Sequence, residues 1–421
     1  MSVSSRAEAR GYAAPAALVA VLTLIAILFL PDAALADPPT EPLTTDPADA
    51  AAGWLSGELV DGQYLTSSFD ADSNGTIDPA TEVSPDPGLT ADAVLAFAAA
   101  GSAGDAADAA TNWLESQVAT YTGDGSTESY AGPLAKLILV ADVMGRDATD
   151  FGGQDLLARL GAQQSPDGRF SDISAFGDFS SPISQSLVII ALNRASPDGF
   201  PPAAVDFLIG VQCADGGYVS DLSVLPCATG EVDATALAAQ ALLVAGRDEE
   251  ASDAGAFLTG QQADDGSLGT AGAANSNSTG VAVPALRALG DAEAADQAAE
   301  WLLSLQAGPD EPAEQRGAFS FDAGGFDLLT ATRATPQAVL GVAGIELSEL
   351  EAPSDPAAYG LGTQDGAAEA GTTGEDAAAG EESGGGRSVG VWLGVIVGVL
   401  ALVVIAVLIR RSRTSRASPK P

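Results

Sequence analysis

A short pattern recurs along most of the chain, and recurrence of this kind constrains the fold more than any other feature of a sequence. Leucine, glutamine four residues later and Asp-Gly three residues after that occur as Leu160, Gln164, Asp167, Gly168; as Leu208, Gln212, Asp215, Gly216; and as Leu258, Gln262, Asp265, Gly266. Phe207 and Phe257 precede two of these leucines. Trp301, Leu302 and Gln306 make a fourth copy with a longer, diverged loop. Two weaker copies come earlier: Trp54 and Leu55 with Asp61-Gly62, and Trp113, Leu114 and Gln117 with Asp124-Gly125. The six copies are spaced about 45 residues apart, the length of a helical hairpin.

Each copy is followed by a second helical stretch, at 90–100, 133–144, 184–195, 233–245, 279–289 and 335–343. These stretches are rich in Ala, Leu and Val and apolar around most of their circumference, which marks buried helices. Five run into a glycine suited to a left-handed C-cap: Gly101, Gly145, Gly246, Gly290 and Gly344. The first helix of each pair is more amphipathic. The expectation is an all-α domain over 50–350, with six hairpins placing inner helices inside outer ones. Neither end shows the polar face of a solenoid cap, so closure into an α6/α6 toroid is expected.

Asp-Gly supplies the turn out of each outer helix, and Gln164, Gln212 and Gln262 are placed to bond loop backbone. Alignment of the inner helices on their glycines sets Thr90, Gln185, Thr235, Thr279 and Arg333 in register, while Leu134 breaks the series. Asp92, Tyr130, Asp233, Asn277 and Gln337 flank this ring. Helix capping and a polar ring around a ligand are both open readings of it, and the two can coexist.

The Gln-x-x-Asp-Gly repeat behind an aromatic-Leu helix resembles the squalene-cyclase and protein-prenyltransferase repeat, over about residues 50–345. The resemblance implies the α/α toroid shared by terpene cyclases, prenyltransferase β-subunits, complement thioester domains and the cobalamin carriers of the intrinsic-factor group. It does not imply an activity. The DxDD acid element of class II terpene cyclases is missing; Asp105 with Asp108 and Asp70 with Asp72 are the nearest approaches. The prenyltransferase zinc site needs histidine, and the chain has none. Cys213 is followed by Ala-Asp-Gly, which is not the thioester element. The expected protein is non-catalytic, with a cyclase- or prenyltransferase-type enzyme and a ligand-free structural module as the alternatives. Its placement resembles that of the cobalamin carriers, which makes a corrinoid or another large molecule one expected ligand, and a transporter or other protein an expected partner.

The 57 acidic residues against 17 basic ones, a net charge of −40, repel nucleic acid and anionic headgroups. Cys213 and Cys227 are expected to form a disulfide in an oxidising compartment. Asp70, Asp72, Asn74, Gly75, Thr76 and Asp78 follow the alternating oxygen pattern of a calcium loop, with Thr76 offering its carbonyl. Glu82 falls one residue late for such a loop, and a plain Asx-rich connection is the other reading.

The two ends give the address. Arg6 and Arg10, an apolar run over 13–30 and Ala34, Leu35, Ala36 read as a signal peptide over 1–36, with 37–49 as linker. Residues 388–409 are long and apolar enough to span a bilayer, and the basic tail at 410–421 is then cytoplasmic. The Gly/Ala/acidic stretch at 351–387 reads as a disordered stalk. The expectation is an exported, single-pass protein with its toroid outside the cell.

Overall fold

Asp86 begins the first inner helix by accepting from Leu89 N at 2.9 Å, with Pro87 at the first helical position, and Gly101 ends it at φ 74°. These are the start and stop signals the backbone calls for: an acceptor for the orphan amides and a residue that tolerates a left-handed turn. The computed structural model describes residues 42–68, 78, 81–270 and 272–363. The expected signal peptide, membrane span and basic tail lie outside these residues. Among the described residues no helix is long and apolar enough to cross a membrane.

Six outer helices, α1 (Pro47–Gly57), α3 (Gly104–Thr122), α5 (Leu156–Gly161), α7 (Pro202–Gly210), α9 (Asp248–Gln261) and α11 (Ala292–Ser304), alternate with six inner ones. The inner set is α2 (Pro87–Ala100), α4 (Ala131–Val143), α6 (Pro182–Ala195), α8 (Val232–Val244), α10 (Ser276–Ala288) and α12 (Leu328–Ala343). Every inner helix packs on the next, and α12 packs on α2, so the ring closes. The helical part is therefore an α/α toroid, and among the described residues its strands form two-stranded ribbons such as Thr66–Ser68 with Val83–Pro85. Inner helices start earlier than the apolar pattern alone indicates, most of all α12. The first turns of α2 and α6 are proline-led and that of α10 is polar, while α12 opens on Leu328 and Leu329, which are exposed and separated from the buried run by Thr330.

The repeat motif holds neighbouring hairpins together. Gln212 Nε2 donates to Gly216 O at 2.8 Å and to Glu250 O of the next outer helix at 3.1 Å. Gln262 does the same to Gly266 O and Ala294 O. Gln306 donates to Gly317 O at 3.0 Å and to Pro47 O at 2.8 Å, which joins the last repeat to the first. Glycine is required beside each glutamine for a further reason: a Cβ on Gly317, at φ 91°, would stand 2.5 Å from Ala50 O. In the third repeat Gln164 does not take this role. Gln185 reaches across from α6 instead, donating to Gly168 O at 3.0 Å and Ala204 O at 2.9 Å.

One boundary needs correction. Residues 351–363, expected as the start of the stalk, form a strap across the outer helices. Asp355 and Ala357 carbonyls accept from Gly104 N and Ala103 N, and Gly360–Leu361 pairs in parallel with Leu43–Thr44. Gly53 leaves room for it, since a Cβ there would meet Tyr359 O. Its order comes with contacts to α1, α3 and the Leu43–Thr44 strand, which composition does not report.

Candidate functional site

The inner helices are closely packed through small residues, with Gly280 of α10 against Gln337 O and Gly341 of α12 against Gly280. A cavity inside the ring is lined from the middle of the inner helices. The threonine ring is part of the wall rather than the lining. Thr90 Oγ1 accepts from Leu65 N at 3.0 Å, Thr235 Oγ1 from Tyr218 N at 2.9 Å and Thr279 Oγ1 from Leu268 N at 3.0 Å. Gln185 Oε1 accepts from Phe170 N at 3.0 Å in the third repeat. The sixth member is Thr335, which accepts from Phe319 N at 3.0 Å. Arg333, placed in that register by alignment, lies two residues earlier, exposed, with Nη2 at 3.6 Å from Asp86 Oδ2. The glycine alignment slips because α12 reaches its cap two residues sooner. Leu134 is buried in α4, and the second loop is held by Arg159, whose guanidinium donates to Thr122 Oγ1 at 2.8 Å and Gly123 O at 3.0 Å. Tyr130 stands at the start of α4 and its hydroxyl donates to Glu128 at 2.8 Å.

Two residues beyond each ring position the side chains turn inward. Asp92, Lys136, Leu187, Leu237, Val281 and Gln337, one from each inner helix, line a bowl of about 180 Å³. Leu95, Ile183, Asp233, Pro336 and Leu340 complete its wall, and Leu347 closes its floor. Leu347 is held by its own N–H, which donates to Gln240 Oε1 at 3.1 Å. Behind it, Arg194 ties α6 to Asp142 at 2.7 Å and to the carbonyls of Ser348 and Leu350.

The bowl has two distinct polar edges. On one side Lys136 Nζ lies 2.6 Å from Asp92 Oδ1. Burial opposes charge on this lysine, but Asp92, supported by Tyr121 and Asp86, more than offsets it and holds the ammonium above the ordinary lysine value. Sequence reasoning missed Lys136, although a signal was present: apart from Lys136, the chain's only lysine is Lys420, and Lys136 sits in the middle of an apolar helix. On the other side, burial pushes the Asp233 carboxyl up, with Glu231 adding to the shift and the nearby Ser278 hydroxyl countering it. The Ser278 hydroxyl of α10 is thus the polar neighbour of this carboxyl.

Around the mouth, the connections that lead into the inner helices expose large apolar side chains. Phe176 and Phe179 before α6 are 78% and 65% exposed, and Ile173, Val224, Leu328 and Leu329 are exposed with them. Phe179, Arg169 and Asp178 border a groove with Asp221 and Leu222 of the next connection. Cys213 and Cys227 form a disulfide within that connection, with Cα atoms 4.9 Å apart.

Of the expected calcium ligands, Asp70, Asp72, Asn74 and Thr76 lie outside the described residues. Asp78 begins a tight turn in which its N–H donates to Glu82 at 2.8 Å and its carboxylate accepts from Thr81 at 3.0 Å. Among the described residues no group of three or more His, Cys, Asp or Glu is arranged to hold a metal ion.

Solved structures similar to this fold include a type II terpene cyclase. The cyclase MstE from Scytonema is 15% identical, with a TM-score of 0.52, covering 70% of this chain and 96% of that one. A form of MstE with its substrate geranylgeranyl dihydroxybenzoate bound gives the same identity and score. A protein from Actinoplanes is 16% identical at a TM-score of 0.50, covering 71% of this chain and 98% of that one. No family model matches the chain. No curated protein matches it either. At such identity the likeness establishes the squalene-cyclase-like toroid and nothing about chemistry.

Proposed function

We propose that this chain is a non-catalytic binding protein: a toroid held at the outer face of the cell membrane that takes a small ligand in its bowl and meets a partner protein across its apolar rim. The observation that carries the reading is the bowl itself. Every inner helix contributes to it, Leu347 lies at its floor, and its wall is mostly aliphatic with Asp92, Lys136, Asp233 and Gln337 set into it. A volume of about 180 Å³ lies below the usual range for cofactor and drug-sized ligands, which favours a compact ligand over a corrinoid. The exposed Phe176 and Phe179 support a partner, a membrane transporter among them, since apolar side chains gathered around a mouth mark an interaction surface. The signal peptide, the apolar segment at 388–409 and the basic tail support the membrane placement.

One observation favours the cyclase-type alternative. Asp233 is an acid at the bowl whose carboxyl is raised by burial, as a proton donor to an alkene requires. Against it, no aromatic side chain lines the bowl, so nothing there stabilises a carbocation. Incubation of the purified protein with polyprenyl diphosphates decides between them. Unchanged substrate is expected; a cyclised product would replace this reading with the enzymatic one.

A further inference from the structure

Helix order divides the lining of the bowl into two arcs. The helices α12, α2 and α4 are consecutive round the closed ring and contribute Gln337, Asp92 and Lys136. The other three, α6, α8 and α10, are also consecutive and contribute Leu187, Leu237 and Val281. One polar arc is thus set opposite one aliphatic arc. Asp233 stands apart from the polar arc: it belongs to the aliphatic side, one helical turn nearer the mouth than Leu237, and its polar neighbour is the Ser278 hydroxyl. The polar arc has hydrogen-bonding capacity to spare. Lys136 carries three N–H donors, of which one is placed on Asp92 Oδ1 at 2.6 Å. The half-buried Gln337 lines the same cavity, and its carboxamide is tied to no other described group. Lys136 and Asp92 neutralise each other, so a charged head set among them would compete with one partner of a part-buried ion pair, and breaking such a pair is costly.

We propose that the ligand of the bowl is a short, uncharged aliphatic carboxamide, with its carbonyl oxygen toward Lys136, its amide N–H toward Gln337 and its alkyl chain against Leu187, Leu237 and Val281. The arc offers donors alone at Lys136 and both a donor and an acceptor at Gln337. A carboxamide meets these demands with its acceptor and its donor on separate atoms, whereas an alcohol has one oxygen for both. It leaves the Lys136–Asp92 pair intact, and its chain takes the aliphatic arc out of water. The proposal rests on the reading of the bowl as a ligand site and specifies what that ligand is.

Isothermal titration of the full chain with hexanamide, n-hexylammonium and hexanoate, which share a chain and differ in charge, tests both levels. Wild-type protein is expected to bind hexanamide at least about tenfold more tightly than either charged probe, the difference made by one well-matched hydrogen bond. Gln337→Met, close in volume, is expected to weaken hexanamide about tenfold. Gln337→Glu keeps the shape and adds a carboxylate, and is expected to turn the preference toward n-hexylammonium, a reversal that a merely structural role for Gln337 would not produce. A charged probe bound by wild type as tightly as hexanamide, or hexanamide affinity unaltered by either substitution, overturns the uncharged ligand while the bowl remains a binding site. Binding of none of the three probes removes the bowl reading as well.

Discussion

Gln306 joins two carbonyls from opposite ends of the chain, those of Pro47 and Gly317. Replacing it with Ala removes the side-chain donor from both and leaves the loop carbonyl of Gly317 without this bond, which costs about 2 kcal/mol in a folded protein. Gln212→Ala and Gln262→Ala are expected to cost a similar amount. Gln164→Ala is expected to change the unfolding free energy by less than about 0.5 kcal/mol, because Gln185 does the equivalent work in the third repeat. Chemical denaturation of the four variants checks this contrast, and it also marks where the sequence misleads: the motif shows a glutamine at 164, but the bond is made from the neighbouring helix. Asp233 belongs to the same scale. Its folded-state carboxyl is raised above the unfolded value, so the native state binds the proton more tightly. Its penalty is full above the raised folded-state value and disappears as pH falls through that value toward the unfolded one. Asp233→Asn is therefore expected to raise the thermal midpoint at neutral pH, with the gain shrinking in acid. A midpoint lowered at neutral pH would show the carboxylate to be structural.

Helices and connections carry the next level. The glycines that follow the glutamines are placed by contact with the next outer helix, not by the turn alone. Gly317→Ala combines a left-handed backbone with a Cβ driven to 2.5 Å from Ala50 O, and a strained substitution of this kind costs more than about 1 kcal/mol. Hydrogen exchange should rise first in α1 and α12, the pair that closes the ring. Cys213 and Cys227 staple the connection into α8, and replacing both by Ser is expected to lower stability by about 3 kcal/mol for a loop of this length. Existence and order of the inner helices were legible because their apolar pattern is continuous. Their first turns were not, since Pro182, Asn275 and Asp327 start helices through capping chemistry that hydrophobicity does not report. The same weakness moved Arg333 into a ring position that Thr335 occupies.

At the scale of the molecule, the six repeats could be read from spacing, the buried inner helices from their apolar composition, and closure from the lack of a polar cap at either end. The strap at 351–363 could not, because Pro353, Pro356 and Tyr359 gain their order only from α1 and α3, far away in sequence. The flanking polar residues near the ring were legible as a group, and Asp92, Asp233 and Gln337 do meet at the bowl. Its chemistry, a lysine paired with Asp92 and a second aspartate, Asp233, facing the Ser278 hydroxyl, depends on which inner helices are neighbours. Native mass spectrometry of the intact protein, isolated without denaturation, tests the bowl reading most directly when wild type is compared with a Leu187→Trp variant that fills the bowl. Wild type is expected to carry a bound organic molecule that the filled variant lacks. A bare wild-type mass, or the same added mass on both proteins, would contradict a ligand in the bowl.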